Sequence, residues 1–175
     1  FNDVHTNPNE NHLDEALKVF REGKHDGVIA LGGGSVIDLA KLVAMMALQA
    51  RPVWDFQDVE DNWKLADAEK IFPIIAIPTT AGTGSEVGRA GVLVNSNTNS
   101  KVIVFHPKIL PSIVISDPEV TISMPPHVTV GTGMDALAHC LEAYCVPSFH
   151  PMSEGIALHG ILLIKQNLEP AFHNG

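Results

Sequence analysis

"DGVIALGGGSVIDLAKLVAMMALQ", residues 26–49, decides the fold. Val28 to Leu31 make a short apolar run, glycines occupy 32–34, and from Ser35 onward the residues are apolar almost all round a helix. A strand feeding a helix through a tight glycine turn is the building unit of a parallel α/β sheet. The pattern recurs downstream. "FPIIAIPTT" (72–80) is a second buried strand running into a threonine- and glycine-rich loop. "RAGVLVNSNTNSKVIVF" (89–105) predicts two strands joined by an Asn/Ser turn, and "SIVISD" (112–117) adds one more. Upstream, "ENHLDEALKVFREG" (10–23) sets Leu13, Ala16, Leu17 and Phe20 at helical spacing and stops on Gly23, which predicts a surface helix.

After "MPP" (124–126) the character changes. Residues 127–168 lack strand-like alternation and predict two helices joined near "VPSFHP" (146–151). The expected fold class is α/β, with a doubly wound, mostly parallel sheet over 1–123 and the start of an all-helical domain over 124–175. No internal repeat or low-complexity tract interrupts this order.

Composition narrows the classes of function. A chain of 175 residues, 45% hydrophobic and 18% charged, suits a globular core. Twenty acidic against eleven basic side chains give a formal charge of -9, and no basic block could track a phosphate backbone, which argues against nucleic acid as a partner. Apolar runs such as "GILLI" (160–164) fall far short of the roughly 20 residues a membrane span needs, and no signal-peptide pattern is present. Cys140 and Cys145 stand five apart in a helical pattern and point to different faces, so no disulfide joins them and a reducing cytoplasm fits. The chain opens at "FNDVHTNPNEN" without methionine and is expected to be a piece of a longer protein.

In a parallel α/β sheet ligands collect at the carboxyl ends of the strands, so the turns carry the chemistry. In "LGGGSVID" the glycines let backbone amides approach a ligand, and the helix starting at Ser35 offers unpaired donors suited to a phosphate. The pattern is neither G-x-G-x-x-G nor a P-loop, and three glycines also serve simply to make a tight turn. "IPTTAGTGSEVG" (77–88) offers hydroxyls at Thr79, Thr80, Thr83 and Ser85, which can wrap a pyrophosphate and ribose or satisfy the loop's own backbone. Finally, "GTGMDALAHC" (131–140) puts Asp135 and His139 one helical turn apart, so both leave one face. Their neighbours Met134, Ala136, Leu137, Ala138, Cys140 and Leu141 are apolar, so a carboxylate buried there would need a cation or a hydrogen-bonded partner. A divalent metal held by both residues and a plain Asp–His pair each account for them.

"GGGSVIDLAK", "IPTTAGTGSEV" and "GTGMDALAHCLEAY", in this order and at these separations, closely resemble the iron-containing (group III) alcohol dehydrogenase family, which shares its fold with dehydroquinate synthase and glycerol dehydrogenase. The match runs over nearly the whole chain. The resemblance implies a Rossmann-like dinucleotide-binding domain followed by a helical metal-binding domain, with metal and nicotinamide meeting in the cleft. Carried over by position, Gly33, Gly34 and Ser35 would hold the pyrophosphate, and Asp38 would support their turn. Thr79, Thr80, Thr83 and Ser85 would line the rest of the cofactor, and Lys101 would reach its ribose. Lys101 also reads as an exposed strand lysine.

Asp135 and His139 match the first two metal ligands of the family; the other two are histidines the family places beyond the equivalent of Gly175. His127, His150 and His159 form no second His-x-x-x-His pair and read as surface or cleft histidines. Two ligands alone would hold a metal weakly. The activity implied is reversible oxidation of a small-molecule alcohol to an aldehyde or ketone with NAD, or alternatively NADP. The metal implied is Fe2+, with Zn2+ or another divalent ion compatible with the same donors, in a homo-oligomer expected to be a dimer. A dehydroquinate-synthase-like lyase, a glycerol-dehydrogenase-like enzyme and a non-catalytic dinucleotide-binding fragment are the rival readings.

Overall fold

A computed structural model describes residues 1–174. By its internal contacts the chain divides into two compact units. The first comprises Phe1–Pro78 and Ser85–Ser116; the second comprises Thr79–Gly84 and the chain from Asp117 onward.

The first unit is α/β. Helix α1 (Glu10–Glu22) starts at Asn9, whose side chain accepts the amides of Asn11 and His12 at 3.2 and 3.3 Å. The His12 ring returns the favour by accepting the Asn9 amide at 3.1 Å, a reciprocal cap that satisfies the first orphan donors. All four residues expected at helical spacing, Leu13, Ala16, Leu17 and Phe20, are buried. Arg21 then closes the far end of the next helix by donating to the carbonyls of Met46 and Ala47 at 3.2 and 2.9 Å.

Strand β1 (Val28–Gly32), the glycine turn and helix α2 (Gly34–Met46) follow as the sequence predicts. β1 pairs in parallel with β2 (Ile74–Pro78), and β2 in turn with β5 (Ile113–Val114), giving the order β1-β2-β5. Register sets Ala30 beside Ala76, both buried against Ile37 and Ala40 of α2, so small side chains let the helix lie close on the sheet. A separate antiparallel hairpin, β3 (Ala90–Asn95) with β4 (Ser100–Phe105), contributes Leu93, Val102 and Val104 to the core. α2 is therefore enclosed: Ile37 and every residue from Leu39 to Met46 are buried.

Three elements depart from the sequence expectation. β5 has two residues where six were expected, although the Ser112 and Ile115 amides on either side of it still bond the Ile74 and Ala76 carbonyls at 2.9 and 2.8 Å. Residues 50–71, to which the sequence pattern assigns no element, form short 3-10 turns, the first of which (Val53–Phe56) drives Val53 and Phe56 into the core. In the second unit, α3 (Pro126–Cys145) and α4 (Pro151–Asn174) form the expected pair of helices, but α4 runs through Pro170 instead of stopping before it.

The two helices pack through small residues. A Cβ added at Gly133 would collide with the end of Leu168, and one at Gly160 would lie 2.6 Å from the Cys140 sulfur. Both cysteines are free thiols. Among the described residues no helix is long and apolar enough to cross a membrane.

Candidate functional site

The turn between β1 and α2 has the features an anion needs. Gly33 is the N-cap in extended conformation, and no side chain caps the helix. The amides of Val36 and Ile37 bond back to the Gly33 carbonyl at 3.0 and 3.1 Å, which leaves those of Gly34 and Ser35 as the open donors of the first turn. Gly32 has a different task, because a Cβ there would lie 2.6 Å from Val36. The Ser35 hydroxyl accepts the Asn7 amide at 3.3 Å.

One turn further along α2, Asp38 gathers three partners. One carboxylate oxygen accepts the Ser85 hydroxyl and lies 3.5 Å from the Lys41 ammonium; the other accepts the Val92 amide at 3.3 Å. Lys41 is completely buried and donates to the Ala90 carbonyl at 2.6 Å. Burial pushes its ammonium below the ordinary lysine value, while the charge and hydrogen bond of Asp38, and the charge of Glu86, pull the other way. The sequence reading placed Asp38 here but gave Lys41 no role. A signal was present, since a lysine three residues after an aspartate, in a helix apolar on nearly every side, must find a partner.

Thr79, Thr80 and Thr83 are half-buried on the stretch that follows β2. The Thr80 hydroxyl oxygen is buried with no hydrogen-bond partner, an orphan that a bound polar group would satisfy. Gly82 faces α3 so closely that a Cβ would run into the Thr132 carbonyl, so this glycine serves helix packing. Ser85 opens a 3-10 turn (Ser85–Val87) and spends its hydroxyl proton on Asp38. Lys101 is exposed on β4 opposite Val94, and among the described residues its ammonium makes no ion pair or hydrogen bond.

On α3, Asp135 and His139 are brought together, with the carboxylate oxygen and the imidazole Nε2 4.0 Å apart. Gly133 and Cys140 mark the side that meets α4, and at about 100° per residue the pair projects from the other side. The expectation that Asp135 would be dehydrated among apolar neighbours is not met, since Asp135 and His139 keep 46% and 53% of their side-chain surface exposed. Neighbours in sequence radiate around a helix and do not bury one another; burial needs a second element on that side. Among the described residues no cluster of three or more His, Cys, Asp or Glu side chains could hold a metal ion. His127 and His159 are exposed, and His150 caps α4 by accepting the Ser153 amide at 3.2 Å.

A parallel sheet whose glycine turn opens a buried helix, followed by a helical unit with an adjacent aspartate and histidine, defines a class, and comparison with known proteins narrows it to one family. The model of iron-containing alcohol dehydrogenases matches residues 1–118, and that of the family's C-terminal region matches 129–175. The chain belongs to the iron-containing alcohol dehydrogenase family. It is 38% identical to 4-hydroxybutyrate dehydrogenase of Cupriavidus necator over 100% of its own length and 45% of that protein's. Long-chain-alcohol dehydrogenase 1 of Geobacillus thermodenitrificans is 43% identical over 93% of this chain and 40% of the relative. Sulfoacetaldehyde reductase from Bifidobacterium kashiwanohense, solved in complex with NAD+, superposes with a TM-score of 0.90 at 35% identity, over 99% of this chain and 45% of that one. The chain thus spans less than half the length of these relatives.

Proposed function

We propose that the chain is part of a metal-dependent NAD(P) oxidoreductase that interconverts an alcohol with an aldehyde or ketone by hydride transfer. The observation that carries this reading is the pairing of Asp135 and His139 on one face of α3. A hard carboxylate oxygen beside an imidazole nitrogen is a donor set for Fe2+, Zn2+ or another first-row divalent ion. Their exposure leaves both donors open to an ion and to the further ligands a closed site requires. When bound, the metal would supply Lewis-acid polarisation of the substrate oxygen, and the dinucleotide would supply the hydride acceptor.

The chain's own residues bind and orient. The Gly34 and Ser35 amides, at the positive end of α2, suit a pyrophosphate, with Gly33 keeping their approach clear. The orphan Thr80 hydroxyl is suited to a cofactor oxygen, Thr79 and Thr83 offer the same chemistry beside it, and Lys101 presents a free ammonium for a ribose. NAD is the preferred dinucleotide, with NADP as the alternative; two free thiols fit a reducing, cytoplasmic setting.

A double dissociation tests the reading in the intact protein. Asp135→Ala or His139→Ala abolishes metal retention after dialysis, and turnover with it, while NAD titration stays close to the wild-type curve. Gly34→Val does the reverse, weakening NAD binding with metal content preserved. Full metal content and turnover in either α3 variant would overturn the ligand assignment.

A further inference from the structure

We propose that Lys41 is a positioning residue for the dinucleotide site, a buried cation that fixes the backbone from Ser85 to Val92 against the first turns of α2. The inference rests on the cofactor reading above and extends it to a side chain that would touch no ligand. Lys41 is a fully buried charged side chain in the core. A lysine at this depth costs several kcal/mol of hydration unless its ammonium is held by acceptors. Here two acceptors converge, the Ala90 carbonyl at 2.6 Å and the Asp38 carboxylate at 3.5 Å.

Their placement is what gives Lys41 a task beyond filling space. Ala90 is the first residue of β3, so the ammonium anchors the strand at the point where the Ser85–Val87 turn delivers it. Gly91, next in line, lies so close on α2 that a Cβ would come within 3.1 Å of the Asp38 carbonyl and 2.9 Å of Leu42. Asp38, its charge balanced by Lys41, then accepts both the Ser85 hydroxyl and the Val92 amide. A single carboxylate with three partners thus joins the helix that presents Gly34 and Ser35 to the turn that presents Ser85. Removing the cation leaves a partly buried, uncompensated carboxylate, and Asp38 then gains by turning toward solvent. That movement frees Ser85 and the entry to β3.

The test uses the intact protein, NAD titration and amide hydrogen exchange. Lys41→Met keeps most of the bulk and removes the charge. We expect it to weaken NAD binding by about tenfold, the scale of losing a charged hydrogen bond, and to speed exchange at the Val92 amide. Lys41→Arg restores most of both, because it returns the cation. Adding Asp38→Asn to Lys41→Met costs little more than either change alone, since both act through one network. A variant that merely loosened the core would lower stability but leave the folded protein's NAD affinity unchanged, without rescue by arginine.

NAD affinity and Val92 exchange both unchanged in folded Lys41→Met, or additive effects in the double variant, overturn the proposal. If Lys41→Met fails to fold, Ser85→Ala takes its place, and unchanged Val92 exchange and NAD affinity there have the same force. Should the wild-type protein bind no NAD while Lys41→Met still frees Val92, the cofactor reading fails and the positioning claim fails with it, whereas the network itself is then purely structural.

Discussion

Helices α2 and α3 read alike in sequence, apolar in nearly every direction, yet they meet opposite fates. α2 buries nine of its residues, and α3 only Gly133. The difference is in what surrounds them. α2 is wrapped by the parallel sheet, by α1 and by β3, whereas within its own unit α3 has α4 as its one long neighbour. α4 itself buries only Ala157, and Phe149, Met152 and Ile156 near its start are 87%, 74% and 70% exposed. Apolar periodicity therefore states that a helix needs cover; it does not say which polypeptide surface provides it. Two antiparallel helices can bury only the faces they turn to each other.

The largest expected effect breaks or upholds that contrast directly. Leu42 is fully buried in α2, and Leu42→Ala should cost about 2–5 kcal/mol through lost transfer energy and the residual cavity. Ile156 is an aliphatic side chain of similar size, and Ile156→Ala should stay within about 0.5 kcal/mol. Denaturant unfolding of both variants measures the two numbers, and equal losses would mean that α4 is covered where the structure leaves it open.

A finer version uses two glycines of α3 itself. At Gly133 a new methyl group must push Leu168 aside, so Gly133→Ala should destabilise the hairpin by about 1–3 kcal/mol. At Gly131, where a Cβ meets nothing within 4 Å, Gly131→Ala should stabilise by about 0.5–1 kcal/mol, the helix-propensity gain of alanine. The opposite signs, two residues apart, locate the α4-facing side of α3. The same sign for both would sink that assignment, and with it the side assigned to Asp135 and His139.

Much of the first unit was legible because its signals are local. A four-residue apolar stripe in α1, its stop at Gly23 and three glycines after β1 each fix geometry within a turn or two. The same holds for Asp135 and His139, whose adjacency follows from helical spacing alone. What escaped the sequence depends on distant partners. Lys41 carries a local hint in the aspartate three residues before it, but its anchor is fixed only when β3, some fifty positions later in the chain, supplies the Ala90 carbonyl. The exposure of Asp135 escaped for the complementary reason, since its apolar neighbours in sequence suggested a cover that α4, packed on the other side of α3, does not provide. β5 shrank to two residues, and strand length too depends on a partner distant in sequence, since β2 pairs with only Ile113 and Val114 in register.

The smallest effect concerns protons, and it too separates the units, because the first one buries titratable groups while the Asp135–His139 pair of the second is half-exposed. His106 is 3% exposed, stands edge-on to Trp63 at 5.8 Å, and accepts the Lys108 amide on Nδ1 at 3.0 Å. Burial pushes its imidazole below the ordinary value of 6.5, and the Lys108 charge pushes the same way. The folded state therefore binds this proton less readily than the unfolded one. Stability from His106 is full above about pH 6.5 and is lost as pH falls from there through the lowered folded value. One proton limits the slope to about 1.4 kcal/mol per pH unit. His106→Asn keeps an acceptor for the Lys108 amide but cannot titrate, so unfolding free energies measured between about pH 5 and 7 should fall less steeply in the variant than in the wild type. Parallel curves would show that the buried imidazole is not the source of the acid sensitivity, and would remove this distinction between the two units.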